Sequence, residues 1–292
     1  MEQRQYIPSM AGILLARIDS RIIGVFINDH PKYAGHTLED AFIAASVNSL
    51  SAEIEKQGSF LMVKLARQPE EILQFASMWN MDGVVIIGFC NQDYTYLRQH
   101  MRIPFVVYDG FCETPPEGFV NITLDNFTGG LLVGGLFRRL GHPRALSLSD
   151  NCEGVDRLRF QGFREAMPGA ELLRIPMDAE ARWEFYQAHL PLFRQVSAVF
   201  AVSDYYAIDL ILFLHRQGIG VPDTLSVAGF DDTPLSRLTW PPLTTVRQDI
   251  DARAALAVSS LQLLKSRQEP GKTVMLPVTL VERESVKRIF CK

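Results

Sequence analysis

Cysteine is scarce in this chain: Cys90, Cys112, Cys152 and Cys291 are scattered, with no C-x-x-C pair and no His-rich spacing around them. Such spacing argues against a disulfide framework and against structural zinc, and the expected setting is a reducing cytoplasm. Long apolar runs are missing as well, and residues 1–21 hold no basic segment followed by an apolar one. Neither a membrane anchor nor an export signal is therefore expected. Positive charge is not in surplus, with 29 Lys and Arg against 33 Asp and Glu and a net charge of −4. A nucleic-acid contact must then be local or supplied by another segment, because backbone binding needs clustered cations. There is no P-loop, no G-x-G-x-x-G behind a strand, no nucleophile elbow and no cluster of metal ligands, and the six histidines are dispersed. The expectation is a protein that is not an enzyme and holds no metal or cofactor. Repeats, low-complexity tracts and coiled-coil heptads are also missing.

What is present is alternation. A chain of 292 residues, 47% hydrophobic, is too long for one small core, so two lobes are expected. Ile22–Asn28 (IIGVFIN) and Gly83–Ile87 (GVVII) are continuous β-branched runs of the kind buried on both faces of a parallel sheet. Strands at 60–63 and 104–108 and helices at 36–56, 69–79 and 93–100 complete a βαβ array. The Thr-Pro-Pro-Glu-Gly stretch at 114–118 breaks it, and Val120–Leu124 with a helix at 125–140 is read as the start of a second series. That series continues with strands at 144–148, 171–175, 198–202 and 225–229 and helices at 155–167, 180–194 and 205–217. A late helix at 250–265 and a strand at 275–282 return to complete both lobes. The resulting division is 1–21 as hinge and linker, 22–118 plus 249–275 as the first lobe, and 119–248 plus 276–288 as the second. In doubly wound sheets a ligand binds at the carboxyl ends of the strands, so function is sought in the loops there.

Three sets of segments carry a family resemblance. The first is Tyr6-Ile7-Pro8-Ser9-Met10-Ala11-Gly12-Ile13-Leu14-Leu15-Ala16 leading to Ile23-Gly24-Val25. The second is Leu140-Gly141-His142 with Arg159-Phe160-Gln161-Gly162-Phe163-Arg164. The third is Gly218 to Asp223 (GIGVPD), Ser226 to Asp232 (SVAGFDD) and Pro241 to Gln248 (PPLTTVRQ). Over essentially its whole length the chain resembles the effector-binding core of the lactose/galactose-repressor (LacI/GalR) family of bacterial transcription regulators. The resemblance implies an α/β fold of the periplasmic-binding-protein-like type I, with two doubly wound parallel-sheet subdomains joined by crossover strands. It also implies a homodimer whose core binds a small effector, a sugar or related metabolite, and thereby controls operator DNA binding. The family's helix-turn-helix headpiece would precede Tyr6, where only five residues stand. The headpiece is therefore expected to be missing from this chain, either because it was shortened or because its start lies upstream.

Residues 9–16 read as a short helix with Ser9 as N-cap and Gly12 weakening it, marginal alone and expected to fold on gaining a partner. Leu15 matches the family's leucine wedge, inserted between base pairs from the minor groove, and Ala16 follows it; the plain alternative is packing on the core. For the effector, Asp109 closes a parallel strand and either takes ligand hydroxyls or caps its turn. Arg159, in R-x-x-G-[FW], matches the family's ligand clamp, its planar fork suiting vicinal hydroxyls or a carboxylate. Asp231, the first acid of GFDD, matches a ligand-bonding position. Ser203 and Asp204 are ligand contacts or simply a helix cap, and Gln248 touches ligand or orders the linker. Asn28 and Asp29 end the first strand, followed by His30-Pro31-Lys32-Tyr33, where relatives have Asn-Pro-Phe-Phe. That departure separates this chain from any particular sugar specificity, with Tyr33 left as an aromatic candidate. Phe127 and Trp183 are further candidates for stacking on a ring, or core aromatics. The competing reading is a free-standing solute-binding protein serving transport or chemotaxis, which shares the fold.

Overall fold

The computed structural model describes residues 20–30, 35–112, 116–268 and 271–289. The buried runs form a six-stranded all-parallel sheet from β1 (Ile22–Asn28), β2 (Phe60–Ala66), β3 (Gly83–Ile87), β4 (Phe105–Tyr108) and β5 (Val120–Leu124), with β11 (Lys272–Leu276) returning from the far end of the chain. The strand order is β11-β5-β4-β3-β1-β2. Between these strands run α1 (Ala41–Lys56), preceded by a 3-10 turn Thr37–Glu39, α2 (Pro69–Met78) and α3 (Asn91–His100). Alternate strand residues face opposite sides. Val25, Ile27, Val85 and Ile87 pack on α1 and on the late helix α9 (Ile250–Lys265), whereas Phe26, Val84 and Ile86 pack on α2 and α3.

The second sheet, in the order β7-β6-β8-β9, is also parallel and is built from β6 (Ala145–Ser149), β7 (Glu171–Arg174), β8 (Ala198–Ala201) and β9 (Ser226–Ala228). Around it lie α4 (Asn126–Arg139), α5 (Gly154–Ala166), α6 (Ala179–Ala188), the single turn α7 (Leu190–Phe193) and α8 (Asp204–Arg216). A two-stranded antiparallel ribbon, β10 (Thr245–Arg247) with β12 (Thr279–Val281), completes the molecule. Helices α4 and α5 are pressed together through glycine. A Cβ on Gly130 would lie 1.8 Å from the Arg159 carbonyl oxygen, and one on Gly162 would lie 1.9 Å from that of Phe127. No helix among the described residues is long and apolar enough to cross a membrane.

Several boundaries differ from the sequence reading, each for a physical reason. The strand at 120–124, assigned to the second series, is β5 of the first sheet, with Val106 opposite Val120. The chain stays in one sheet from β4 to β5, and Asn121 ties the two ends of that connection by accepting from Gly110 N (3.1 Å) and donating to Gly110 O (3.0 Å). The switch to the second sheet comes after Leu124. The expected strand at 275–282 is two strands, β11 in the large sheet and β12 in the ribbon. The expected helix at 180–194 divides at His189, because Pro191 cannot continue the preceding turn.

Candidate functional site

The carboxyl ends of both sheets face one another. Asn28 closes β1, Asp109 follows β4, Ser203 and Asp231 follow β8 and β9, and α5 and the turn into α9 supply Arg159 and Gln248. Beside this cluster opens a cleft of about 410 Å³, lined by His36, Glu39, Asp40 and Phe42 on one side and by Ser203, Tyr205, Asp209, Leu212, Thr233 and Leu235 on the other; Asp231 reaches it, whereas Asn28, Asp109, Arg159 and Gln248 do not line it.

Arg159 is buried and fixed. Its Nε donates to Asn126 Oδ1 at 2.7 Å and its Nη1 to the Val202 carbonyl at 2.6 Å, while the guanidinium carbon lies 3.8 Å from the centre of the Phe230 ring. That leaves Nη2, which faces Asp109 Oδ2 across the lobes at 3.6 Å. Asp109 stands at φ 65°, a left-handed conformation that aspartate tolerates better than most residues and that turns the chain sharply at the strand end. Its Oδ1 accepts no hydrogen bond, and 3.6 Å from it lies the guanidinium of Arg253 on α9. Arg253 is fully buried, stands over the rings of Tyr108 and Phe42, and has no hydrogen-bond partner on any of its three nitrogens among the described residues. Sequence reasoning missed this residue. The signal was an arginine on an otherwise apolar stripe with Ala254, Ala257, Val258 and Leu261.

Asp231, also at positive φ (123°), accepts from Gln248 Nε2 at 2.7 Å, and Gln248 Oε1 is left buried without a donor. Burial pushes the Asp231 carboxyl well above the usual carboxylate range, outweighing the pull of the Arg159 charge. Asp109, Arg159, Asp231 and Gln248 are thus brought together at the lobe junction, and Ser203, which caps α8, stands beside them on the cleft wall.

Other candidates are placed elsewhere. Asp204 does not face the cleft: its oxygens accept from Thr233 N (2.8 Å), Thr233 Oγ1 (3.2 Å) and Thr245 Oγ1 (2.5 Å), so it braces the loops beneath. Trp183 is committed to α8, donating from Nε1 to Asp209 Oδ1 at 2.8 Å, with Phe213 against its edge and Arg216 over its face, and it meets the cleft only through Asp209. Phe127 is partly exposed at the start of α4 and is not among the cleft-lining residues; its carbonyl serves the α4–α5 contact. Asp29 is occupied by Arg67 (2.9 and 2.7 Å) and Thr37 (2.9 Å), and the Arg67 bonds hold its carboxyl below the usual range. Asn28 donates to the Gly88 carbonyl at 2.9 Å, tying β1 to β3. Tyr33, Leu15 and Ala16, with the segment 9–16, lie outside the described residues. Asp232 anchors a basic cluster formed by Arg283, Arg247 and Arg237. No group of three or more His, Cys, Asp or Glu among the described residues is arranged to hold a metal ion.

Comparison with known proteins agrees with this architecture. Residues 135–286 match the periplasmic binding protein-like domain. The HTH-type transcriptional repressor PurR of Mannheimia succiniciproducens is 28% identical over 272 residues, covering 87% of this chain and 80% of that protein. The ribose operon repressor of Haemophilus influenzae is 28% identical over 231 residues, 76% of this chain and 69% of that protein. Among solved structures, the lac repressor dimer bound to operator and the anti-inducer ONPF superposes with a TM-score of 0.82 at 22% identity over 97% of this chain and all of that one. The transcriptional regulator CelR–cellobiose complex gives 0.79 at 19% identity over 94% of this chain and 88% of that one. At these identities the structural likeness speaks for the fold.

Proposed function

Because this chain belongs to the periplasmic-binding-protein-like family, and its relatives are repressors of the LacI type, we propose that it is the effector-sensing core of a transcription regulator that is not an enzyme. A small polar metabolite closes the cleft, and closure alters the relation between the first lobes of a homodimer and so the hold of its DNA-reading segments on an operator. The observation that carries this reading is the convergence of Asp109, Arg159, Asp231 and Gln248 from both lobes on one buried junction. Groups contributed by two bodies give a ligand different affinity for open and closed states, and that difference is what shifts the equilibrium. In this reading Arg159 and Asp231 hold the ligand, Ser203 and Asp109 border it, and Leu15 with Ala16 meet the minor groove.

The test is a thermal-shift screen of neutral sugars, sugar acids, sugar phosphates and nucleobases, followed by mobility-shift assays on the promoter beside the gene, made with the product of the full upstream reading frame, with and without the best ligand. A ligand should raise the melting temperature of the wild type, should do so at least tenfold less potently with Asp231→Asn, and should change DNA retention. A screen in which nothing binds through Asp231 overturns the reading, as does DNA retention that ignores a bound ligand.

A further inference from the structure

We propose that the effector is anionic, a carboxylate or phosphate on a polyhydroxylated frame, and that Arg253 receives the anionic group. The inference rests on the effector-sensing reading above and deepens it.

Arg253 lies at the end of the first turn of α9, on the face packed against α1 and β4. It is fully buried, yet Nε, Nη1 and Nη2 all lack a hydrogen-bond partner among the described residues. A guanidinium carries five N–H donors and cannot shed its charge at any accessible pH. Burying it without acceptors is strongly unfavourable, so an arrangement of this kind belongs to a site whose acceptors arrive later. The surroundings do not supply them. Tyr108 and Phe42 offer ring faces at 4.8 and 5.9 Å from the guanidinium carbon. Among the described residues the carboxylate paired with it is Asp109, 3.6 Å away at Oδ1, beyond hydrogen-bonding distance, and shared with Arg159 at 3.6 Å through Oδ2.

The local charge does not balance. Two buried arginines face one carboxylate, and Asp231 is pushed by burial toward its neutral form. The unmatched atoms around the junction are therefore three donor nitrogens on Arg253 together with two acceptors, Asp109 Oδ1 and Gln248 Oε1. A neutral sugar can donate hydroxyls to both acceptors and leaves the arginine charge uncompensated. A sugar acid or sugar phosphate matches both sets, since hydroxyls donate to Asp109 and Gln248 while the anion accepts a bidentate pair from the planar fork. Phe42 separates the guanidinium from the open cleft, for its ring both lines the cleft and covers Arg253. Movement of this one ring at the start of α1 would open the guanidinium to the cleft.

The experiment compares matched ligands by calorimetric titration: glucose with gluconate, glucuronate and glucose 6-phosphate; ribose with ribonate and ribose 5-phosphate; and inorganic phosphate alone. They are tested on the wild type, Arg253→Leu, Arg253→Lys and Asp231→Asn. At least one anionic member should bind tenfold or more tightly than its neutral parent and than phosphate alone, and the carboxylate and phosphate arms show which anion is read. Arg253→Leu should erase that preference. It should also raise the melting temperature of the unliganded protein by a few degrees, roughly 2–4 °C, because it removes a buried unpaired charge; a merely structural arginine would lower it. Arg253→Lys keeps the charge without the fork and should retain a weakened preference, which tests the inference even if leucine is not accommodated. A neutral sugar or nucleobase that binds through Asp231 equally well in the wild type and in Arg253→Leu overturns this inference and leaves the sensor reading standing. A panel with no anionic binder overturns it too, and absence of any ligand dependent on Asp231 removes both.

Discussion

Asp204 and Asp231 show how burial sets the behaviour of a single side chain. Asp204 accepts three hydrogen bonds, yet desolvation still lifts its pKa from the ordinary 3.8 to about 7. Between those two values the folded protein keeps a proton that the unfolded chain has released. Stability is then greatest on the acid side and falls as pH rises from about 4 to about 7, by at most about 4 kcal/mol for this group. Asp204→Asn mimics the neutral acid, so urea unfolding should show the variant matching the wild type near pH 4 and exceeding it at pH 8. Equal pH profiles for the two proteins would show that Asp204 ionises freely in the fold. Asp231 carries the same burial but keeps an oxygen toward the ligand space. Asp231→Asn preserves the acceptor for Gln248, so its unliganded stability should equal or exceed that of the wild type while ligand affinity falls; a loss of stability above about 1 kcal/mol would mean that Asp231 is held charged by Arg159.

At the scale of elements, the α4–α5 pair positions the clamp, because the carbonyl that a Cβ on Gly130 would strike belongs to Arg159 itself. Neither helix backbone can yield without moving the other, so Gly130→Ala should cost about 3 kcal/mol in urea unfolding and weaken the ligand by displacing Arg159. Gly135, on the same helix with open space at its Cβ position, is the control, and Gly135→Ala should be neutral or slightly stabilising. The same elements show what a sequence makes legible. Gly83–Ile87 reads as a strand because it is apolar on both faces, and Ile250–Lys265 as a helix because its small and apolar residues recur at helical spacing. Pairing partners leave no such periodic mark. Hence Val120–Leu124 could be recognised as a strand but not assigned to its sheet, and the three-residue β10 passes for a linker inside PPLTTVRQ. Strand-end logic points to Asp109 and Asp231, the family resemblance to Arg159, and the crossover ending PPLTTVRQ to Gln248. It does not reach Arg253, which enters from the side of the fold on a helix that completes the first lobe only after the second has been built. Nor does it say where an aromatic will pack, and Trp183 is claimed by Asp209 and Arg216.

For the molecule as a whole, the chain passes between the sheets at 124–126, 247–250 and 276–279, so the lobes have separate cores but a common hinge. The crossings are stiffened from one side. Asp231 N donates to the Val246 carbonyl at 2.8 Å, and Asp232 collects Arg247 at the end of β10 and Arg283 just after β12. Across the cleft itself the contacts among the described residues include the Arg159–Asp109 pair at 3.6 Å and Arg157 standing 5.3 Å over the Phe111 ring. Two cores coupled this weakly should unfold in overlapping steps, giving a calorimetric enthalpy larger than the van't Hoff value. A ligand held by groups from both lobes stabilises each of them, by about 2.7 kcal/mol at a hundredfold excess over Kd, and it penalises opening of either lobe alone. Differential scanning calorimetry should therefore show the two steps merging and rising together as ligand is added. If ligand raised one step and left the other in place, it would be bound to a single lobe, and closure of the cleft could not be what transmits its presence to the DNA.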